Sequence, residues 1–260
     1  MEIRYFKNYS HCLGRDMEMK VYGHRGKPVL FIPCQAGRFN DFEAFHMDEY
    51  FRPWIDAGKV MVFSIDTIDG ETWANKGGDN RWRIERHEAW FHYIVDELVP
   101  QIHHLAGERN WHQEMIMTFG CSMGAQHAAN LIFRRPDLFD SCLALSGVYD
   151  SRDAFGGYMD DLVYANSPCD YLAGMPGDHP YIRLYNQHKI IICVGQGAWE
   201  DGLKESTGWL GRVLYQKGIN ASVNFWGYDV NHDWPWWYKQ TAHYLPMIVG
   251  NPRPAFRWTM

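Results

Sequence analysis

The fold of this chain is constrained most by short apolar runs that alternate with segments of helical periodicity. Such runs predict strands buried on both faces, which is typical of parallel sheets covered by helices. Strands are predicted at 28–33, 60–65, 115–119, 142–145, 190–194 and 221–226, and helices at 41–57, 83–104, 125–133 and 203–216. This order predicts a doubly wound α/β sandwich, with a mostly parallel central sheet and helices on both faces.

The N-terminal region departs from that pattern. Polar and apolar positions mix from Tyr5 to Val21, and the turn-rich run Tyr22–Lys27 follows, so we expect an antiparallel hairpin at one edge of the sheet.

With 260 residues, the chain is expected to form one domain, 1–260. The stretch 150–188 is too long for a simple connection between strands, which predicts a small lid or an irregular insertion within that domain.

Composition excludes several classes of partner. The formal net charge of -6 is spread along the chain without a basic block, which argues against nucleic acid. The chain contains neither a signal-peptide pattern nor an apolar run long enough to span a membrane. Its six cysteines form no CxxC pair, as expected of reduced thiols in the cytoplasm. We therefore expect a cytoplasmic protein without a membrane partner, and a homodimer is a reasonable expectation at this size.

No cofactor is predicted. The sequence lacks a phosphate-binding GxxxxGK[ST] run and a strand-linked GxGxxG run. The segment His87–His92 resembles the zinc motif HExxH but has one residue more, which would separate the two rings by about 140° on a helix. A zinc site is therefore not expected.

The strongest functional motif is Gly120-Cys121-Ser122-Met123-Gly124, which lies between a predicted strand and a predicted helix. A serine at such a strand-to-helix turn adopts a strained conformation that exposes its hydroxyl, and the flanking glycines avoid steric clashes. The following N–H and the helix N-terminus face a developing oxyanion. The motif predicts that Ser122 is a nucleophile.

Chain order restricts the partners of Ser122, because the acid and then the histidine follow the serine when the nucleophile occupies this turn. Of the histidines that follow Ser122 late in the chain, His232 lies in a loop after the last predicted strand, whereas His243 lies in a later segment that we expect to be helical and packed against the fold. His232 is therefore the predicted base. The acid is expected after the strand 190–194, where Asp201 is favoured for its position next to the following helix, with Glu200 as the alternative.

Two further groups complete the predicted site. The backbone N–H of Met123 is one expected oxyanion donor, and the loop after the strand 28–33 is expected to supply the other. Within that loop, Ala36 and Gln35 are both candidates. Trp199 and the aromatic run Trp234–Tyr238 are expected either to wall an acyl or sugar pocket or to pack beneath the last helix, and of these Trp199 and Trp234 are the candidate substrate contacts. Arg38 is a further candidate substrate contact.

Four segments resemble the esterase D-like branch of the α/β-hydrolases, which includes S-formylglutathione hydrolases, feruloyl and acetyl-xylan esterases and mycolyltransferases. They are Pro33–Phe39, Gly120–Gly124, Val194–Asp201 and Trp226–Trp234. The resemblance covers nearly the whole chain, although the first segment lacks the His-Gly sequence common in relatives. It implies an α/β-hydrolase sandwich that hydrolyses or transfers an acyl group without a metal or organic cofactor.

Three functional hypotheses follow. The first is a serine esterase that cleaves a small-molecule carboxylic ester through an acyl-enzyme on Ser122. The second is an acyltransferase or thioesterase with the same three residues. The third is a catalytically silent binding protein, which the presence of serine, acid and histidine together disfavours.

Overall fold

The computed structural model describes residues 1–110 and 115–252, so the predicted domain 1–260 is described except for 111–114 and 253–260. Within the described residues, eight strands form one sheet in the order β1-β2-β4-β3-β5-β6-β7-β8. The strands are β1 (Ile3–Ser10), β2 (Arg15–Tyr22), β3 (Lys27–Ile32), β4 (Val60–Ile65), β5 (Ile116–Cys121), β6 (Phe139–Leu145), β7 (Lys189–Val194) and β8 (Ser222–Phe225).

Helices connect most of these strands. They are α1 (Asp41–Ala44), α2 (Met47–Asp56), α3 (Asn80–His92), α4 (Val99–Asn110), α5 (Met123–Arg134), α6 (Arg152–Phe155), α7 (Asp161–Ala165), α8 (Pro168–Gly174), α9 (Pro180–Tyr185), α10 (Asp201–Gln216) and α11 (Trp234–Val249). A 3-10 turn spans Asp69–Glu71, and a π-helical segment spans Tyr93–Leu98. Across the described ranges, no helix is both long and apolar enough to cross a membrane.

The parallel part of the sheet brings the ends of its strands to a common edge. The strands from β4 across to β8 pair in parallel, whereas the pairs β1–β2 and β2–β4 are antiparallel. The chain places β4 on one side of β3 and β5 on the other, so the direction of winding reverses between β3 and β5. Ligands of open α/β sheets bind at such a switch point, outside the carboxyl ends of the strands.

The buried strands separate two apolar cores. In β3, Val29 and Phe31 pack with residues of α1, α2 and α11, whereas Leu30 and Ile32 pack into the cluster formed by α3, α4, α5 and α10. Successive side chains of a strand point to opposite faces, so the buried central strands contribute to both cores and are apolar at most positions. The predicted mostly parallel sheet with helices on both faces and an antiparallel N-terminal edge is therefore confirmed.

The N-terminal hairpin turns at a different place from the one predicted. Its turn spans 11–14, where Gly14 has a φ of 66° and donates to the Ser10 carbonyl at 2.9 Å. The Glu97 carboxylate accepts the backbone N–H groups of His11 and Cys12 at 2.9 and 3.0 Å. The run Tyr22–Lys27 instead connects β2 to β3. A carboxylate distant in sequence stabilises the turn, so the local pattern did not indicate it.

Two predicted helices are interrupted. The segment 41–57 divides into α1 and α2 at His46, which adopts a left-handed φ of 56°. In the segment 83–104, the helix widens to π geometry over Tyr93–Leu98, immediately before Pro100 in the first turn of α4. Pro100 cannot donate a backbone hydrogen bond, because proline lacks an N–H group. In the π-helical segment before it, the backbone hydrogen bonds span five residues instead of four.

The long connection between β6 and β7 contains the four short helices α6 to α9. Phe155 of α6 and Val163 of α7 belong to a small apolar cluster with Trp73, and Met123 packs against this cluster. The region 150–188 therefore contacts the residue that follows Ser122. Its function as a lid stays a prediction.

Candidate active site

Ser122 occupies the sharp turn between β5 and α5. Its backbone has φ 56° and ψ -126°, a conformation that is strained for a residue with a side chain. A Cβ on Gly120 would clash with the backbone of Gly124, and a Cβ on Gly124 would clash with the carbonyl oxygens of Ile32 and Pro33. The two glycines thus allow α5 to begin directly against the end of β3.

His232 approaches Ser122 from the loop that follows β8. Its Nε2 lies 2.9 Å from the Ser122 Oγ, and its Nδ1 lies 3.4 Å from the Glu200 Oε2. Ser122, Glu200 and His232 follow β5, β7 and β8, so the carboxyl ends of three parallel strands bring them together. In this arrangement the imidazole lies between a hydroxyl and a carboxylate.

The structure corrects the preference for Asp201 as the acid. The Asp201 side chain is 88% exposed and pairs with Lys204 at 3.0 Å, whereas the Glu200 side chain is 1% exposed and faces His232. Glu200 is the N-cap of α10 and points inward, while Asp201 is the first helical residue and points to solvent. Of these two carboxylates, Glu200 is the one placed to orient the imidazole.

Two buried side chains support Glu200 and His232. The Ser146 hydroxyl donates to the Glu200 Oε1 at 2.6 Å and accepts from the Trp237 Nε1 at 3.1 Å. The Trp237 ring meets the His232 ring edge to face, with centroids 4.9 Å apart. These contacts form a closed circuit of four side chains, which restricts the rotation of both the carboxylate and the imidazole.

Backbone hydrogen bonds join the loop containing Glu200 to the loop containing His232. Gly197 N–H donates to the Val230 carbonyl at 2.8 Å, and His232 N–H donates to the Ala198 carbonyl at 3.0 Å. The Asn231 side chain accepts the Ala198 N–H at 2.8 Å. The two loops therefore hold each other in position, and with them the pair Glu200–His232.

The loop after β3 presents two candidate oxyanion donors, but their surroundings differ. The Ala36 N–H faces the Asp69 Oδ2 at 3.3 Å, and Ala36 has a left-handed φ of 57°. Across residues 1–110 and 115–252, the Gln35 N–H has no hydrogen-bond partner. Met123 begins α5, so its N–H has no acceptor within the helix. Within the part of the chain that the structure describes, Gln35 and Met123 therefore offer N–H groups without an acceptor, whereas the Ala36 N–H faces Asp69.

The predicted substrate contacts have different environments. Trp199 is 86% exposed at a φ of 67°. Trp234 stacks on Phe45 with centroids 4.6 Å apart and packs against Trp237, beside the His232 ring. The Arg38 guanidinium donates to Asp66 at 2.7 Å and also pairs with Glu18. Of the three, Trp234 is the one that extends the aromatic surface beside His232.

The thiol next to the nucleophile does not compete with it. Cys121 is fully buried, and burial raises the pKa of its thiol well above the usual value. Only a thiolate is strongly nucleophilic, so this cysteine stays inert while the Ser122 hydroxyl faces His232.

Sequence reasoning missed three supporting residues. Ser146 directly follows β6, and the rule that chemistry collects at the carboxyl ends of strands could have indicated it. Trp237 lies in the aromatic run Trp234–Tyr238, whose composition indicates a pocket wall or packing and not a contact with the acid or the histidine. Asp69 lies in the loop 66–80, where no pattern distinguishes it from its acidic neighbours.

Comparison with known proteins agrees with this architecture. The model of the family described as Putative esterase matches residues 10–247, which is most of the chain. Among curated proteins, none matches the sequence.

Solved structures with the same fold have low sequence identity. A ferulic acid esterase is 14% identical, with 95% of this chain and 98% of that chain covered and a TM-score of 0.73. An S-formylglutathione hydrolase from Agrobacterium tumefaciens is 16% identical, with 96% and 95% covered and a TM-score of 0.71. MPT51 of Mycobacterium tuberculosis is 15% identical, with 97% and 100% covered and a TM-score of 0.64.

These structures share the fold, and the family match extends over both the serine and the histidine loops. The chain therefore belongs to the Putative esterase family, in the esterase D-like branch of the α/β-hydrolases, and is a carboxylic-ester hydrolase.

Proposed function

We propose that this protein is a serine esterase that cleaves a small-molecule ester through an acyl-enzyme on Ser122. The observation that supports this most is the alignment of the Ser122 Oγ, the His232 ring and the Glu200 carboxylate, with separations of 2.9 and 3.4 Å. His232 Nε2 takes the Ser122 proton as the Oγ attacks the ester carbonyl, and Glu200 stabilises the imidazolium that forms.

The tetrahedral intermediate places a negative charge on the former carbonyl oxygen. In this proposal, the N–H groups of Met123 and Gln35 donate to that oxygen, because the Ala36 N–H already faces Asp69. His232 then gives its proton to the departing alcohol, which leaves the acyl group on Ser122. Water activated by His232 attacks the acyl-enzyme and releases the carboxylic acid.

The test of this proposal is labelling by a fluorophosphonate, which reacts with activated serines. Wild-type protein is expected to be labelled and to hydrolyse nitrophenyl esters, whereas Ser122→Ala loses both. Turnover can be compared across acyl chains of several lengths to define the preferred acyl group. Labelling that persists in Ser122→Ala, or a wild-type protein that neither reacts nor turns over ester, would refute the nucleophile.

Acyl transfer and thioester hydrolysis use the same three side chains. They differ from ester hydrolysis only in the leaving group or in the acceptor that competes with water. Product analysis with a thioester, and with an added alcohol, separates these reactions. Release of free acid from an oxygen ester, at a rate independent of added alcohol, is the outcome expected for an esterase.

A further inference from the structure

A buried acidic side chain lies between the two structures that offer oxyanion donors. The Asp69 Oδ1 is 2.9 Å from the His127 Nε2, and the two side chains are 3% and 2% exposed. A buried carboxylate is costly unless charged or polar groups compensate it. Asp69 is therefore held at this position by specific partners on both of its oxygens.

The second oxygen of Asp69 faces the loop after β3. Its Oδ2 accepts the Ala36 N–H at 3.3 Å, and the Gly37 N–H donates to the Cys34 carbonyl at 2.8 Å. The left-handed backbone of Ala36 is unfavourable for a residue with a side chain, so the turn requires external support. Asp69 provides that support at the peptide next to Gln35.

The first oxygen of Asp69 faces the helix that begins behind Ser122. His127 lies on α5, and its ring stacks on the His87 ring with centroids 5.2 Å apart. The Trp90 ring also contacts it, at 5.0 Å. Packing between these rings leaves the His127 imidazole little freedom to rotate. One carboxylate thus connects α5, which contains Met123, to the loop that contains Gln35.

We infer that Asp69 is a positioning residue that sets the separation of the two oxyanion donors, through His127 on α5 and through the Ala36 N–H on the loop. The inference rests on the proposed function, since it requires Ser122 to generate an oxyanion. Asp69 acts on the transition state and not on the bound substrate, because the donors need correct placement only when the charge develops. Its loss is expected to lower kcat with little change in KM.

The test compares Asp69→Ala and Asp69→Asn with Glu71→Ala. Glu71 is the control because it lies in the same 3-10 turn, while its side chain pairs with Arg15 and Arg86. Removal of one oxyanion donor costs about 10²–10³ in kcat, and a displaced donor should cost less. We expect Asp69→Ala to lose about 30- to 100-fold in kcat by that scale. In Asp69→Asn, the side chain keeps one neutral acceptor oxygen, which can still accept the Ala36 N–H, and its NH2 group replaces the oxygen that faces His127, so the expected loss is about 5- to 10-fold. Glu71→Ala should keep the wild-type kcat.

A second readout is the affinity for a trifluoromethyl ketone, which adds to Ser122 to form a charged tetrahedral adduct. This affinity should fall in parallel with kcat in both Asp69 variants, whereas a purely structural role would lower only the unfolding temperature. If Asp69→Ala does not fold, Asp69→Asn decides alone. A wild-type kcat in Asp69→Asn, a change confined to KM, or an unchanged ketone affinity would overturn the inference. Failure of the proposed function would appear separately, as a wild-type protein that does not bind the ketone.

Discussion

Replacing Glu200 with glutamine should distinguish the acid of this site more sharply than any other change. The Glu200 carboxylate lies 3.4 Å from the His232 Nδ1 and is almost completely buried. At an effective dielectric constant of about 20, a unit charge at this distance stabilises the imidazolium by about 5 kcal/mol. Because each 1.36 kcal/mol corresponds to a factor of about ten, Glu200→Gln is expected to lower kcat/KM by about 10³- to 10⁴-fold.

Asp201→Asn is the matched control, since it makes the same chemical change at the adjacent position. Its carboxylate is exposed and, within residues 1–110 and 115–252, pairs with Lys204 alone; surface pairs of this kind contribute about 0–1 kcal/mol to stability. We expect kcat/KM for nitrophenyl acetate to stay within about twofold of the wild-type value, since this pair does not contact His232. Both variants should keep wild-type circular dichroism. Loss of activity in Asp201→Asn with retention in Glu200→Gln would refute the assignment of the acid.

Three further changes test the surrounding structure. Ser146→Ala removes a hydrogen bond to the Glu200 carboxylate and should lower kcat/KM by about 10- to 100-fold, with little change in KM, as steady-state kinetics would measure. Gly124→Ala inserts a methyl group against the carbonyl oxygens of Ile32 and Pro33, and urea unfolding should detect a destabilisation of about 1–3 kcal/mol. Burial raises the pKa of Glu88, but the hydrogen bonds and the positive charge of Arg134, together with Asn166 and His92, outweigh it and hold that pKa below its usual value. The Glu88–Arg134 pair therefore stabilises the fold fully at a pH above the usual carboxyl pKa. This stabilisation is lost as the pH falls through the lowered pKa, because Glu88 is then protonated. Glu88→Gln should therefore reduce the difference in unfolding free energy between pH 7 and pH 3.

The fold could be predicted because its main signal is local. The central parallel strands are buried on both faces, so β3, β4 and β7 appear in the sequence as nearly continuous apolar runs. The turn at Ser122 was recognisable for the same reason, since the glycines that permit its backbone lie within two residues of it. Element ends were less predictable. The hairpin turn at 11–14 depends on Glu97, and the sequence around the turn does not indicate that partner.

The choice between Glu200 and Asp201 shows where local information ends. The two carboxylates are adjacent and chemically equivalent, so no pattern ranks them reliably. Their side chains point in different directions because Trp199 adopts a left-handed φ of 67° and α10 begins at Asp201. That backbone path turns Glu200 toward His232 and Asp201 toward solvent.

The sequence by itself determined the fold class, the turn at Ser122 and the short set of residues that could follow it in chain order. These features depend on backbone conformation and burial, which leave periodic or local patterns. Only the tertiary structure decided which carboxylate faces His232. It also brought Ser146, Trp237 and Asp69 to the site. Those contacts join residues from separate strands and loops, and hydrogen bonds between distant segments leave no spacing that a single sequence can reveal.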